Sequence, residues 1–248
     1  SDAVAFARIG EGSLGGKARG LAFMNSMILK HRLYDKHANV RIMIPRSVVI
    51  ATDYFDDFIR LNGLKYIISQ EFSDEEILSE FVSSTVPARL QQELKAYIQT
   101  VRTPLAVRSS SKLEDSHYQP FAGIYSTYMI PYVDNGDQML RLLLKAVKSV
   151  YASVYFATSR AYLSSSQNLI SEEKMAVIIQ EVCGTEQDGL FFPTFSGVAR
   201  SINYYPIGDE APADGVCNIA MGLGKLVVDG GRTLRFSPRY PQKVLQTS

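Results

Sequence analysis

The character of the sequence changes near Leu105, and this change constrains the fold more than any other feature. Before it, helix-start signals occur at Thr52, which precedes an amphipathic run, and at Ser73 and Glu76, which form a capping box. After it, a helical pattern from about residue 138 to 163 separates runs typical of strands. These runs are LAVRS (105–109), FAGIYSTYMIPY (121–132), MAVIIQEV (175–182), SGVARSINYY (196–205) and VCNIAMGL (216–223). Because strands and helices do not alternate regularly, the sequence predicts an α+β fold with a mixed sheet.

Composition fits one large domain or two lobes. Of the 248 residues, 46% are hydrophobic, which is enough for a sizeable core. The net charge of +1 gives no reason to expect a nucleic-acid or membrane partner. The longest apolar run, around Met175 to Val182, is too short to span a membrane and predicts a buried strand. Cys183 and Cys217 form neither a disulfide framework nor a zinc site, so a reducing, cytoplasmic location is expected.

A glycine-rich loop precedes the first predicted helix. Residues 10–16 read GEGSLGG, and Lys17 follows directly. Such a turn presents free amides at the positive end of the helix, and a lysine there adds a charge that suits phosphate. The spacing is not that of a P-loop, and Ala18 replaces the hydroxyl residue. An ordinary helix start is the alternative.

A second polar cluster, AVRSSSKLED, follows an apolar run at residues 106–115. Arg108, predicted at the end of a strand, offers a planar fork that suits phosphate oxygens, and the serines at 109–111 can donate to the same anion. The alternative is a surface arginine paired with Glu114 or Asp115, with the serines turning the chain. The local sequence leaves both interpretations open.

These stretches belong to an ordered series of motifs. In chain order they read GGK, IP followed by ATD, AVRSSSKLED, FAGIYSTY, AVIIQ, SGVA and GLGKLVVDG. The series resembles the nucleotide-binding domain of the phosphoenolpyruvate synthase and pyruvate phosphate dikinase family. The resemblance extends from Gly15 to Gly230, and its specificity lies in the order of the motifs.

The resemblance implies an ATP-grasp-like fold, with two lobes built from mixed sheets and flanking helices and with ATP between the lobes. It assigns residues 1–248 to one N-terminal ATP-binding domain, with lobes of about 1–103 and 104–248. The family's later ligand segments are not found, so we expect the chain to be a C-terminally truncated piece of a longer protein.

The resemblance also implies which residues hold ATP. Lys17 of GGK and Arg108 of VRSS contact the phosphates and act as catalytic residues. Gly123 and Thr127 match a family loop that covers the phosphates, and Gln180 matches a glutamine near the nucleotide. The implied cofactors are ATP and Mg²⁺, and no metal ligand is assigned within this sequence.

The implied activity is that of an ATP-dependent phosphotransferase, a dikinase that passes phosphate to a carrier histidine and on to pyruvate or a similar acceptor. The implied partners are phosphohistidine and pyruvate-binding domains of the same longer chain, and we expect this fragment to be inactive alone. Two departures favour an alternative, a non-catalytic nucleotide-binding or docking module. Lys225 replaces the acid of the family's GLGE, and Asn218 stands where an acidic residue usually precedes that motif.

Two further features have simpler interpretations. Tyr151 and Tyr155 have helical spacing and predict core or lobe-interface positions. The charged run from Glu172 to Lys174 predicts a solvated turn.

Overall fold

The computed structural model describes residues 5–113, 124–165, 170–228 and 230–247. The chain divides into two compact units, Ser1–Val182 and Cys183–Ser248. This division differs from the predicted lobe boundary near residue 103, because strands from both sides of that residue belong to one sheet.

The first unit is built on a five-stranded mixed sheet with the strand order β1-β2-β5-β3-β4. Only β1 and β2 pair in parallel, and the other neighbours are antiparallel. The central strand β5 is the apolar run predicted to be a buried strand, and all its residues but the last are buried. The strands are β1 (Phe6–Ile9), β2 (Ser47–Ile50), β3 (Leu105–Ser111), β4 (Thr127–Ile130) and β5 (Met175–Glu181).

Six α-helices in the described part of this unit accompany the sheet. The capping box predicted at the start of the third is confirmed, because Ser73 Oγ accepts from the Glu76 amide and the Glu76 carboxylate accepts from the Ser73 amide. Within the described residues, no helix has the length and hydropathy required to cross a membrane. The helices are α1 (Gly15–Lys30), α2 (Thr52–Leu61), α3 (Asp74–Ser83), α4 (Ala88–Ile98), α5 (Gly136–Ser153) and α6 (Ala157–Ser165).

The single long helix predicted over residues 138–163 is wrong, because the chain forms α5 and α6 with a turn between them. Side chains bond carbonyls at the turn: Ser159 Oγ donates to the Ser153 carbonyl at 2.6 Å, and Arg160 Nε donates to the Tyr155 carbonyl at 2.8 Å. Neither glycine nor proline marks this break, so hydrophobic periodicity continues through it.

The two faces of the sheet are covered unequally. The main core lies on one face, where α2, α3, α4 and α5 pack, and it contains Tyr151 and Tyr155 as predicted. The other face has only a small cluster beneath α1, formed by Ala18, Val49, Ala176 and Ile178. This second face therefore leaves polar positions of β3 and β4 accessible beside the start of α1.

The second unit contains a four-stranded antiparallel sheet, ordered β11-β10-β9-β8, and the hairpin β6-β7. Strands β8 and β9 fall in predicted runs, whereas the shorter β6, β7, β10 and β11 were not predicted. Hydrogen bonds from Arg235 lower the pKa of Glu210 to about 2 and fix the connection between β8 and β9. The elements are β6 (Thr185–Gln187), β7 (Leu190–Phe192), β8 (Phe195–Arg200), β9 (Val216–Met221), α7 (Lys225–Val228), β10 (Thr233–Phe236) and β11 (Leu245–Thr247).

Candidate functional site

Ser110 holds the glycine loop between β1 and α1 against β3. Its hydroxyl accepts a hydrogen bond from the Ala18 amide at 3.0 Å and donates to the Leu14 carbonyl at 2.7 Å. Gly15 has φ of +72°, and a Cβ at this residue would lie 2.0 Å from the Ser110 carbonyl oxygen. Both the backbone conformation and the close packing therefore require glycine.

The start of α2 holds the same loop from another direction. The Asp53 carboxylate accepts from the Glu11 and Gly12 amides at 2.9 and 3.0 Å. Thr52 Oγ1 accepts from the Ser13 amide at 2.9 Å. The prediction that Thr52 caps α2 is wrong, because its side chain makes no capping hydrogen bond and binds this loop instead.

Asp53 makes the loop's stability dependent on pH. Partial burial acts to raise the pKa of Asp53, but hydrogen bonds from the Glu11 and Gly12 amides outweigh it, so the pKa lies below its usual value. A carboxyl with a depressed folded-state pKa stabilises the protein above its unfolded-state pKa. That contribution is lost as the pH falls through the folded-state value.

We expect Asp53→Asn to lower the free energy of unfolding by about 1–3 kcal/mol at pH 7, because the amide cannot accept both hydrogen bonds. The loss should shrink as the pH falls through the lowered folded-state pKa, because the wild-type carboxyl is then itself protonated. Urea denaturation at several pH values measures both effects. Asp57→Asn, on the same helix and half exposed beside Arg60, is the control and should change little. A loss that does not vary with pH would contradict the assignment.

Lys17 lies in the first turn of α1, which contains no acidic residue. A positive charge at a helix N-terminus opposes the helix dipole, so this lysine does not stabilise the helix. Its Nζ donates to Ser109 Oγ at 3.2 Å, and the side chain is half-buried. This contact places the cation beside the strand that carries Arg108.

Arg108 lies in the middle of β3, not at its end as predicted, because the serines continue the strand. Its Nη1 donates to Gln180 Oε1 on β5 at 3.2 Å. Gln180 Nε2 in turn donates to Ser47 Oγ on β2 at 3.1 Å. These contacts orient the guanidinium, which forms no ion pair among the described residues. The side chain of Arg108 remains half-buried.

Thr127 begins β4 opposite Arg108 in the antiparallel register, and its side chain is exposed. The next residue, Tyr128, packs on the main core, so the alternation of a strand puts Thr127 on the opposite face. Arg108 and Gln180 share that face, since Val107 and Ile179 belong to the main core. The structure thus brings Arg108, Thr127 and Gln180 to one side of the sheet, the side on which α1, the helix of Lys17, packs.

Other predicted contacts are not available at this face. The serines at 109–111 are almost fully buried, and their hydroxyls bond to Lys17, Leu14 and Glu173, contrary to the expectation that they bind an anion. Gly123 lies outside the described residues, as do Glu114 and Asp115, the alternative partners of Arg108.

The two departures from the family pattern lie in the second unit. Asn218 on β9 lines an open cavity of about 480 Å³, together with Arg200 and Thr233. Lys225 begins α7 and is exposed. The described residues contain no group of three or more histidine, cysteine or acidic side chains that could hold a metal ion. This part of the chain therefore does not fit a Mg²⁺ ion bound by protein ligands alone.

Residues 11–243 match the family model of the pyruvate phosphate dikinase AMP/ATP-binding domain. The chain belongs to this family. The resemblance seen in the ordered motifs is thereby confirmed, and the predicted α+β, ATP-grasp-like fold class is confirmed with it.

Three curated relatives are similar to the chain. An uncharacterized phosphotransferase of Bacillus subtilis is 28% identical over 193 residues, covering 77% of this chain and 20% of that protein. The phosphoenolpyruvate synthase of Aeropyrum pernix is 24% identical over 238 residues, covering 88% and 25%. A probable phosphoenolpyruvate synthase of Staphylothermus marinus is 26% identical over 214 residues, covering 76% and 23%. The chain thus spans a quarter or less of these relatives.

Proposed function

We propose that this dikinase-type ATP-binding domain passes phosphate from ATP to a carrier histidine, which then passes it to pyruvate or a similar acceptor. The observation that supports this most strongly is the hydrogen bond from Lys17 to Ser109, the residue after Arg108. It holds Lys17, which is far from Arg108 in sequence, beside the strand that carries Arg108. Two cations so placed suit the phosphates of a nucleotide.

The geometry supports a role in charge neutralisation. Phosphoryl transfer depends mainly on positioning and on stabilising negative charge spread over the phosphate oxygens. Gln180 and Ser47 hold the Arg108 guanidinium before any ligand binds, so little reorganisation is required. Lys17 supplies a compact charge, and the Thr127 hydroxyl adds a donor directly opposite Arg108.

The proposed ligand is ATP, with Mg²⁺ as the counter-ion of its phosphates. The proposed partners are a phosphohistidine domain and a pyruvate-binding domain of a longer chain. Two relatives, a phosphoenolpyruvate synthase and a probable one, share only 25% and 23% of their length with this chain, which supports further domains in a longer protein.

Calorimetric titration with ATP in magnesium buffer tests the binding face. We expect Lys17→Ala to weaken ATP binding by about tenfold or more, since a charged hydrogen bond contributes about 1.5–3 kcal/mol. Lys30→Ala is the matched control, because this exposed lysine lies at the other end of the same helix. Equal affinities for the two variants would contradict the proposal.

The second candidate function is a non-catalytic nucleotide-binding or docking module. Asn218 and Lys225 favour it, because neither can supply the negative charge that the family has at these positions. Transfer of radiolabelled phosphate from ATP to a histidine domain supplied in trans separates the two functions. The non-catalytic module is supported if the protein binds ATP but transfers no phosphate, and if the double variant Asn218→Glu and Lys225→Glu gains transfer.

A further inference from the structure

A buried carboxylate connects both ends of the segment between β3 and β4. Glu173 precedes β5 and is only 2% exposed, so the prediction that it lies in a solvated turn is wrong. Its Oε2 accepts from Ser111 Oγ at 2.9 Å and from the Tyr125 hydroxyl at 2.6 Å. Its Oε1 accepts from the Leu113 amide at 3.3 Å and from the Lys174 amide at 3.0 Å.

Two of these donors lie at or beside the ends of the two strands of the candidate site. Ser111 ends β3, three residues after Arg108, and Tyr125 lies two residues before Thr127. Arg108 and Thr127 are register partners at the point where the described pairing of β3 with β4 ends. The carboxylate therefore fixes the separation of the two strands immediately beyond the pair of residues proposed to contact phosphate.

Glu173 cannot itself contact a ligand bound beside α1. Its side chain lines a cavity of about 420 Å³ together with Phe55 and Tyr155, both of which belong to the main core. That core lies on the face of the sheet opposite Arg108 and Thr127. Any effect of the carboxylate on nucleotide binding must therefore pass through β3 and β4.

The charge of Glu173 is compensated by hydrogen-bond donors. Among the described residues it forms no ion pair, and the adjacent Lys174 pairs with Asp56. Burial raises the pKa of Glu173, and the hydrogen bonds from Tyr125, Ser111 and two amides only partly offset this. A buried carboxylate is less favourable than a well-packed apolar side chain, so stability alone does not explain its presence. Only a carboxylate accepts from four donors at once.

We propose that Glu173 is a positioning residue for nucleotide binding, which holds Arg108 and Thr127 in the arrangement that phosphate contact requires. This inference rests on the proposed function. Glutamine at this position keeps the size of the side chain. Its amide N–H group, however, would face groups that donate to the carboxylate and could not accept a hydrogen bond from them. The ends of β3 and β4 should therefore separate in Glu173→Gln, and the two phosphate contacts should weaken together.

Calorimetry with ATP in magnesium buffer is the test. We expect Glu173→Gln to weaken ATP binding by about tenfold, and Tyr125→Phe, which removes one donor and is less disruptive, to weaken it about threefold. In an Arg108→Ala background, Glu173→Gln should cause a smaller loss than in the unaltered protein, because only the Thr127 contact is left for it to position. Losses that simply add in the double variant would overturn the proposal.

A stability control separates positioning from general destabilisation. Phe81→Leu alters the main core on α3, away from β3 and β4, and should lower the melting temperature without changing ATP affinity. Amide hydrogen exchange should be faster at residues 105–111 and 127–130 in Glu173→Gln and not in Phe81→Leu. Unchanged exchange there would overturn the proposal.

The failure of this inference can be told apart from the failure of the proposed function. If the unaltered protein binds no ATP, the proposed function fails. If Glu173→Gln binds ATP as the unaltered protein does, only this inference fails.

Discussion

Replacing Arg108 with alanine should lower the rate of phosphate transfer by about a hundredfold or more while the protein stays folded. Removal of one preorganised group that stabilises transition-state charge commonly has an effect of this size. Within the described part of the chain the half-buried side chain makes one hydrogen bond, to Gln180, so the free energy of unfolding should fall by only about 1 kcal/mol or less. Arg108→Lys should recover little activity, because an ammonium cannot reproduce the planar fork of the guanidinium.

Single-turnover transfer to a histidine domain and thermal melting, measured for the same variants, check this expectation. Arg102→Ala is the matched control, since Arg102 is exposed and its hydrogen bonds to described residues go to nearby carbonyls ahead of β3. If Arg108 instead served as a structural partner of Glu114 or Asp115, alanine at any of the three positions would lower the melting temperature similarly. Near-normal transfer by Arg108→Ala would rule out the phosphate role.

Gly15→Ala should have the largest effect on stability, a loss of about 2–5 kcal/mol in the free energy of unfolding. The left-handed backbone conformation disfavours any Cβ by about 1–2 kcal/mol. Overpacking adds about 1–3 kcal/mol, because the new Cβ would meet the backbone carbonyl of Ser110 at 2.0 Å. The clash cannot be relieved by a side-chain rotation, so β3 or the glycine loop must shift.

Gly20→Ala is the internal control for that experiment. Gly20 lies within the same helix, and a Cβ there would meet no atom within 4 Å. Alanine should therefore stabilise the helix by about 0.5–1 kcal/mol through its higher propensity. Urea denaturation of both variants gives the two values. Equal stabilities would show that the glycine loop is not packed against Ser110 as described.

Local patterns were sufficient to predict some of the fold. The apolar run that forms β5 and the capping box at Ser73 depend on nearby residues, and both were predicted correctly. The break between α5 and α6 was missed because Ser159 and Arg160 bond carbonyls without any interruption of the hydrophobic spacing. The four strands β6, β7, β10 and β11 are too short, at three or four residues, for alternation to be recognised.

The candidate site was predictable from motifs only in part. Lys17 and Arg108 were identified by their place in an ordered series, but their proximity depends on the contact of Lys17 with Ser109, which no local pattern contains. Asp53 and Glu173 were missed as organising residues because their partners are distant in sequence. In particular, two glutamates before a lysine are typical of a solvated turn, and only the tertiary structure shows Glu173 buried among its donors.

Chemical labelling with and without ATP tests most directly whether this face binds the nucleotide. Lysines are acetylated and arginines are modified with a dicarbonyl reagent, and mass spectrometry then gives the labelling rate at each residue. Binding at the proposed face predicts that ATP slows the labelling of Lys17 and Arg108 severalfold and leaves Lys30 and Arg102 unchanged. Labelling of Lys17 and Arg108 that ATP does not slow, at concentrations where calorimetry shows ATP bound, would contradict the proposed site.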